Sequence, residues 1–255
     1  MAFVRTIPGT DLEISALGLG TVKIGRDQSV KYPEHFTIPD DKEVKRLLSL
    51  AHSEGINLLD TAPAYGNSEE RLGNLLEKRE DWVIITKTGE EFEQGKSYFD
   101  FSEHHTRSSI ERSLKRLKTD YLDIVLIHSD GNDHDILNNT DCIKVLKECQ
   151  QQGMIRAIGM STKTITGGIL AASMLDIVMI TYNLEQQDQA VLEFARDSNK
   201  GVLVKKGLMS GHAGSIQDSM NLIFANESIS SMIVGTINHD HLRENVRLAK
   251  EVIGS

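Results

Sequence analysis

Eight short β-rich runs, each followed by a segment with helical spacing, predict an α/β chain folded as a (β/α)8 barrel, the TIM barrel, with an N-terminal β-hairpin closing its bottom. Two further observations support a closed barrel over an open, doubly wound sheet. The length of 255 residues suits eight such units. The early glycine pair, Gly18 and Gly20, also lacks the G-x-G-x-x-G spacing that a doubly wound dinucleotide fold places at its first helix.

The elements follow in order. Val4 and Thr6, then Pro8-Gly9, then Leu12 and Ile14 alternate around a turn and predict the hairpin. The runs ALGLGTV, INLLDTA, WVIITK, DIVLIH, AIGMST, IVMITYN, GVLVKKG and SMIVGT predict the strands. Between them, apolar residues at three and four spacing, such as Val44, Leu47, Leu48 and Ala51 or Ile110, Leu114 and Leu117, predict amphipathic helices. Asn67 with Glu70 predicts a capping box, and Thr140 and Asp240 stand where further helices are expected to begin. The stretches Arg26 to Asp40 and Asp130 to Asn139 are expected to be loops that wall a pocket. The whole of 1–255 reads as one domain.

The formal charge of −9 argues against a nucleic-acid surface, which needs clustered Lys and Arg, and no apolar run approaches the length of a membrane span. The basic stretch Arg112 to Lys118 is expected to be a solvated helix face. Cys142 and Cys149 fall two turns apart on one predicted helix and should not bridge. With no charged and apolar leader at MAFVRTIPGT, a reducing cytoplasm is the expected location.

Four polar residues stand at or just beyond the carboxyl ends of three runs: Asp60, Tyr65, Lys87 and His128. In a (β/α)8 barrel that end carries the active site. Taken singly each has a structural explanation, as a cap, a packed ring, a solvated amine or a core histidine. Together they make a proton-donating site, in which the Lys87 ammonium is expected to lower the phenol of Tyr65, Asp60 to accompany that ammonium, and His128 to orient a carbonyl oxygen. The last two runs end in small residues before a helix, so Gly235, Thr236 and the amides before Leu242 are expected to receive a phosphate, with Lys205 and Lys206 adding positive charge. No metal site is expected. The segment Ser129 to Asp135 departs from a calcium loop and reads as turns and caps, while the adjacent His104 and His105 cannot face one ion together.

The pieces LGLGTV, GINLLDTAPAYGNSEERLG, IITKTG, SLKRLKTDYLDIVLIHSD, IRAIGMST and IVGTINHDHLRENV, in this order, resemble the aldo-keto reductase family over nearly the full length. The resemblance implies an NAD(P)H-dependent oxidoreductase that reduces a small aldehyde or ketone without metal. In it Tyr65 is the acid, Asp60 and Lys87 tune it, and His128 positions the carbonyl. It further implies that Ser161 and Thr162 hold the nicotinamide carboxamide and that Asn245, preceded by Glu244, contacts adenine. Gly20, Thr21 and Tyr182, at the ends of their runs, join the expected cofactor contacts. Other positions depart from the family pattern. Met179 stands where a glutamine is usual, Lys205 near the place of a stacking aromatic ring, and Gly235 and His241 where NADPH-specific members carry lysine and arginine. NADP is the expected cofactor, because the family prefers it, with NAD the alternative. The departures also admit a second reading, a nicotinamide-binding sensor or regulatory protein with little turnover.

Overall fold

The computed structural model describes residues 2–30, 32 and 35–254. Strands β1 (Val4–Thr6) and β2 (Glu13–Ser15) pair antiparallel around a turn in which Gly9 has φ +76°, the left-handed conformation that glycine adopts without cost. Then come β3 (Leu17–Gly20), helix α1 (Asp41–Ser53), β4 (Leu58–Asp60), α2 (Ser68–Leu75) and β5 (Val83–Thr88). A second hairpin, β6 (Glu90–Glu93) and β7 (Lys96–Phe99), intervenes before α3 (Glu103–Leu117). The chain continues through β8 (Leu122–His128), α4 (Asp133–Asn139), α5 (Cys142–Gln151), β9 (Ile155–Ser161), α6 (Ile165–Met174), β10 (Ile177–Thr181) and α7 (Gln189–Asp197). It ends with β11 (Gly201–Lys205), α8 (Ile216–Phe224), β12 (Ser231–Val234) and α9 (His239–Gly254).

Every one of the eight predicted runs coincides in large part with a barrel strand, and the ring closes because β12 pairs in parallel with β3, Met232 opposite Leu17 and Val234 opposite Leu19. That pairing, which alternation alone cannot reveal, separates this fold from an open sheet. Side chains alternate along each strand, so the apolar runs feed two cores. The outer core lies between strands and helices. The inner one fills the barrel with Leu58, Val83, Ile85, Ile124, Leu126, Ala157, Ile177, Met179 and Leu203, and the first hairpin plugs its lower end with Ile7, Leu12 and Ile14. No helix of the described residues is long and apolar enough to cross a membrane.

Several local expectations are corrected. Asn67 precedes α2 but its side chain makes no cap hydrogen bond; the capping box is at α1, where Asp40 accepts from the Glu43 amide and Glu43 from the Asp40 amide. Helices do begin beside Thr140 and Asp240: α5 at Cys142, whose amide donates to Thr140 Oγ1 at 3.4 Å, and α9 at His239, where Asn238 Oδ1 accepts from the amides of Asp240 and His241. The stretch from Asp130 to Asn139 contains α4 and is not a loop throughout. Arg112 and Arg116 are not simply solvated, because the first pairs with Glu91 and the second reaches the wholly buried Glu69. Cys142 and Cys149 are free thiols on α5, and burial pushes the Cys142 thiol up to about 12.

Candidate active site

The inward rows of the barrel carry their periodicity straight into the site. Leu58 is followed two residues later by Asp60, Ile85 by Lys87, Leu126 by His128 and Leu203 by Lys205, each pair facing the same side of its strand. Ala157 and Gly159 lead in the same way to Ser161. These groups meet at the carboxyl ends of the strands around a cavity of about 780 Å³.

Lys87 Nζ lies 2.6 Å from Asp60 Oδ1 and donates also to the Thr61 carbonyl at 2.9 Å. Both side chains are buried, which makes the pair mutually dependent. Tyr65 sits in the turn after β4, where its amide bonds the Ala62 carbonyl and Gly66 follows with φ +61°. A Cβ at Gly66 would lie 2.0 Å from the Gly25 carbonyl oxygen, so glycine is required for the close approach that fixes Tyr65. The Tyr65 and His128 rings meet edge to face with centroids 6.3 Å apart.

The expectation of a lowered phenol is overturned. Burial, then the negative charges of Asp60 and Glu90, hold Tyr65 well above the ordinary phenol value, with Arg26 opposing them. Lys87 Nζ is 4.8 Å from the Tyr65 ring centroid and gives two of its three N–H groups to Asp60 and Thr61. Tyr65 is therefore a proton carrier at neutral pH and not a phenolate. Burial draws His128 below the ordinary histidine range, and the nearby Lys87 and Lys205 add to this, while Glu90 pulls the other way. Glu90 itself is drawn down to about 2: burial opposes, but His128, Ser97 and Arg26 outweigh it.

On the other side of the mouth, Lys205 Nζ donates to Ser161 Oγ at 2.8 Å and to the Thr162 carbonyl at 2.6 Å. Burial lowers its amine to about 7, with Lys206, Lys163 and Lys87 acting in the same direction and Asp133 against it. Met179 is sealed in the inner core at 2% exposure and touches the cavity from below. Lys206, Gly20, Thr21, Thr162, Gly235, Thr236, His241, Glu244 and Asn245 also line the cavity. Tyr182 does not: its ring is in the outer core and its hydroxyl donates to Gln189 at 3.3 Å. Of the amides around the start of α9, those of Asp240, His241 and Leu242 donate to Asn238.

Residues not anticipated also line or shape the site. Glu90, at the start of the second hairpin, places Oε2 2.8 Å from His128 Nδ1. Arg26 stacks 3.4 Å above the Phe92 ring centroid and donates to the Ala64 carbonyl. Tyr32 crosses from the loop after β3 toward Gly235, where an added Cβ would meet its hydroxyl at 2.6 Å. Among the described residues no group of three His, Cys, Asp or Glu side chains is placed to hold a metal ion. Asp133 instead knits the loop after β9, accepting from the Lys163 and Thr164 amides and from Thr164 Oγ1.

The sequence profile of the Aldo/keto reductase family matches residues 16–227. The chain is 31% identical over 215 residues to the aldo-keto reductase YhdN of Bacillus subtilis; the match takes in 81% of this chain and 62% of that protein, less than two thirds of its length. It is 32% identical to the NADH-specific methylglyoxal reductase of Escherichia coli, over 79% of this chain and 67% of that one. Among solved structures, a protein of Pseudomonas aeruginosa described as an aldo-keto reductase superposes with a TM-score of 0.91 at 50% identity, covering 98% of this chain and 95% of its own.

Proposed function

Because the chain belongs to the Aldo/keto reductase family, we propose that it reduces a small aldehyde or ketone using a reduced nicotinamide dinucleotide, with Tyr65 as the proton donor. When bound, the cofactor supplies the hydride. The observation that carries the reading is Tyr65, a phenol held protonated at the edge of a large cavity and flanked by His128 and the Lys87–Asp60 pair. A neutral phenol is the state that can give a proton to a carbonyl oxygen, and His128 stands beside it to orient that oxygen.

The residues present fit a nicotinamide cofactor. Thr162 Oγ1 is buried without a hydrogen-bond partner, and Ser161 Oγ and Lys205 stand next to it, so a carboxamide would find both donor and acceptor there. Lys206 and Lys23 line the same cavity and give it positive charge in a protein whose formal net charge is −9. NADP(H) is the proposed cofactor, and NAD(H) is the alternative that one named relative uses.

The test is a titration of the protein with NADPH and NADH in parallel, followed by turnover with a panel of aldehydes and ketones. Tyr65→Phe should leave cofactor binding unchanged and lower turnover by roughly 10²–10⁴-fold. Parental turnover in that variant would remove Tyr65 as donor. Tight cofactor binding without turnover of any carbonyl would favour the sensor reading, for which Lys205, seated on Ser161 and Thr162, is the structural argument.

A further inference from the structure

Lys205 ends the inward row of β11, two residues beyond Leu203 of the inner core, and it is half-buried where Lys87 is sealed. Its amine therefore meets the cavity while most of its stem is out of water. His128 and Ser161 are register partners on β8 and β9, and Ser161 Oγ accepts from Lys205 Nζ at 2.8 Å, so Ser161 joins the amine to the neighbourhood of His128. The second acceptor is the Thr162 carbonyl at 2.6 Å. Neither partner is a carboxylate. A neutral amine has two N–H groups and a lone pair, and these two acceptors use both N–H groups and leave the lone pair.

The charged or titratable groups around Lys205 are Lys206 next in the chain, Asp133 from α4, Lys163 from the loop after β9, Lys87 from β5 and His128 from β8. Burial first, then the three lysines, draw the amine down to about 7, and Asp133 opposes them. That carboxylate already accepts from Ser129 Oγ, from the Lys163 and Thr164 amides and from Thr164 Oγ1. Desolvation and an adjacent cation are the two devices that turn a lysine into a nucleophile. Other amines on the cavity are held differently. Lys87 pairs with Asp60, and Lys23 and Lys163 lie over the rings of Tyr32 and Phe99, contacts that favour the ammonium.

We infer that Lys205 is a nucleophilic amine that condenses reversibly with a small aldehyde or ketone in the cavity, holding the carbonyl carbon as a Schiff base on Nζ. The inference goes beyond the reductase reading and takes from it only the class of ligand. The Nζ lone pair forms the N–C bond as the carbonyl π pair moves to oxygen, which takes a proton from water while Nζ releases one. The carbinolamine then loses its hydroxyl with a second proton as water, and the remaining Nζ hydrogen leaves as the C=N bond forms. The two hydrogens lost by Nζ equal the two in the water released, so no oxidant or reductant is consumed, and hydrolysis reverses the step.

The experiment treats the full chain, freed of dinucleotide, with butanal and sodium cyanoborohydride at pH 7, and follows the N-butyl adduct at each lysine by peptide mass spectrometry over time. At that pH about half of the Lys205 amines are neutral, against roughly one in three thousand for an ordinary lysine. Lys205 should take the label at least roughly tenfold faster than the exposed Lys42, Lys115 and Lys147, the rest of the advantage being offset by the weaker nucleophilicity of a less basic amine. In Lys205→Arg the fast adduct should vanish while those three lysines label as before. Labelling of Lys205 no faster than theirs, or a fast adduct that maps to Lys206 or survives in Lys205→Arg, overturns the inference; if the variant does not fold, the map of the parent decides alone. Turnover of a carbonyl panel with NADPH and NADH is measured beside it. A fast adduct on Lys205 without turnover of any carbonyl supports the inference and overturns the reductase reading, and turnover without the adduct does the reverse.

Discussion

Lys87 and Lys205 are the same residue type in the same structural position, each the last inward side chain of its strand, and they face one another from β5 and β11, four places apart in a ring of eight. Their surroundings make them different groups. Lys87 forms an ion pair with Asp60, whereas Lys205 donates only to an uncharged hydroxyl and a carbonyl, and its amine falls to about 7. The position of a lysine at a barrel mouth thus says little about its partners. The wall with Asp60 and Glu90 carries the carboxylates, while the wall with Lys205 is built around neutral donors and acceptors.

The most damaging way to break this contrast is Lys87→Met. It leaves the Asp60 carboxylate buried and unpaired, at a cost of about 3–5 kcal/mol, measured by denaturant unfolding. Adding Asp60→Asn in the same chain should recover most of that loss, and a double variant as unstable as the single would mean the pair is not the source. Lys205→Met should act in the opposite sense and only over a range of pH. Between about 7 and the ordinary lysine value of 10.5, the unfolded chain holds a proton that the folded protein has released, so stability rises with pH across that window. One proton contributes at most about 1.4 kcal/mol per pH unit. The rise should vanish in Lys205→Met, and identical pH profiles of unfolding for variant and parent would contradict a titrating Lys205. The smallest effect sets the baseline: Asp40→Ala removes the cap of α1, far from both lysines, and should cost ~1 kcal/mol with no change in turnover or in either pH profile.

The barrel and the first four site residues were legible because their signals are local. An apolar run that stops at Asp60, Lys87 or His128 shows both the strand and the polar group that ends it. Glu90 was not recognised, although Gln94-Gly95 between alternating residues was a hairpin signal within reach. Its contact with His128 arises only in the folded chain, between residues 38 positions apart. Arg26 and Tyr32 belong to a long loop whose path sequence spacing does not fix. The lowered phenol expected for Tyr65 failed for a related reason. The sequence shows that an ammonium is present, but not how completely the fold buries the phenol, nor that Asp60 and Glu90 bring their negative charge to it. Tyr182 was misplaced because beyond the end of β10 the simple alternation of faces no longer governs which way a side chain turns.

The inward rows have a consequence for how this protein can fail. Leu58 and Asp60, Ile85 and Lys87, or Leu126 and His128 are successive members of single rows, the first of each pair in the core and the second at the mouth. A strand that slips by one residue turns both outward at once. A misregistered barrel would therefore lose its packing and the polar cluster at its mouth together. Whatever preserves the cluster at the mouth thereby proofreads the alignment of the strands.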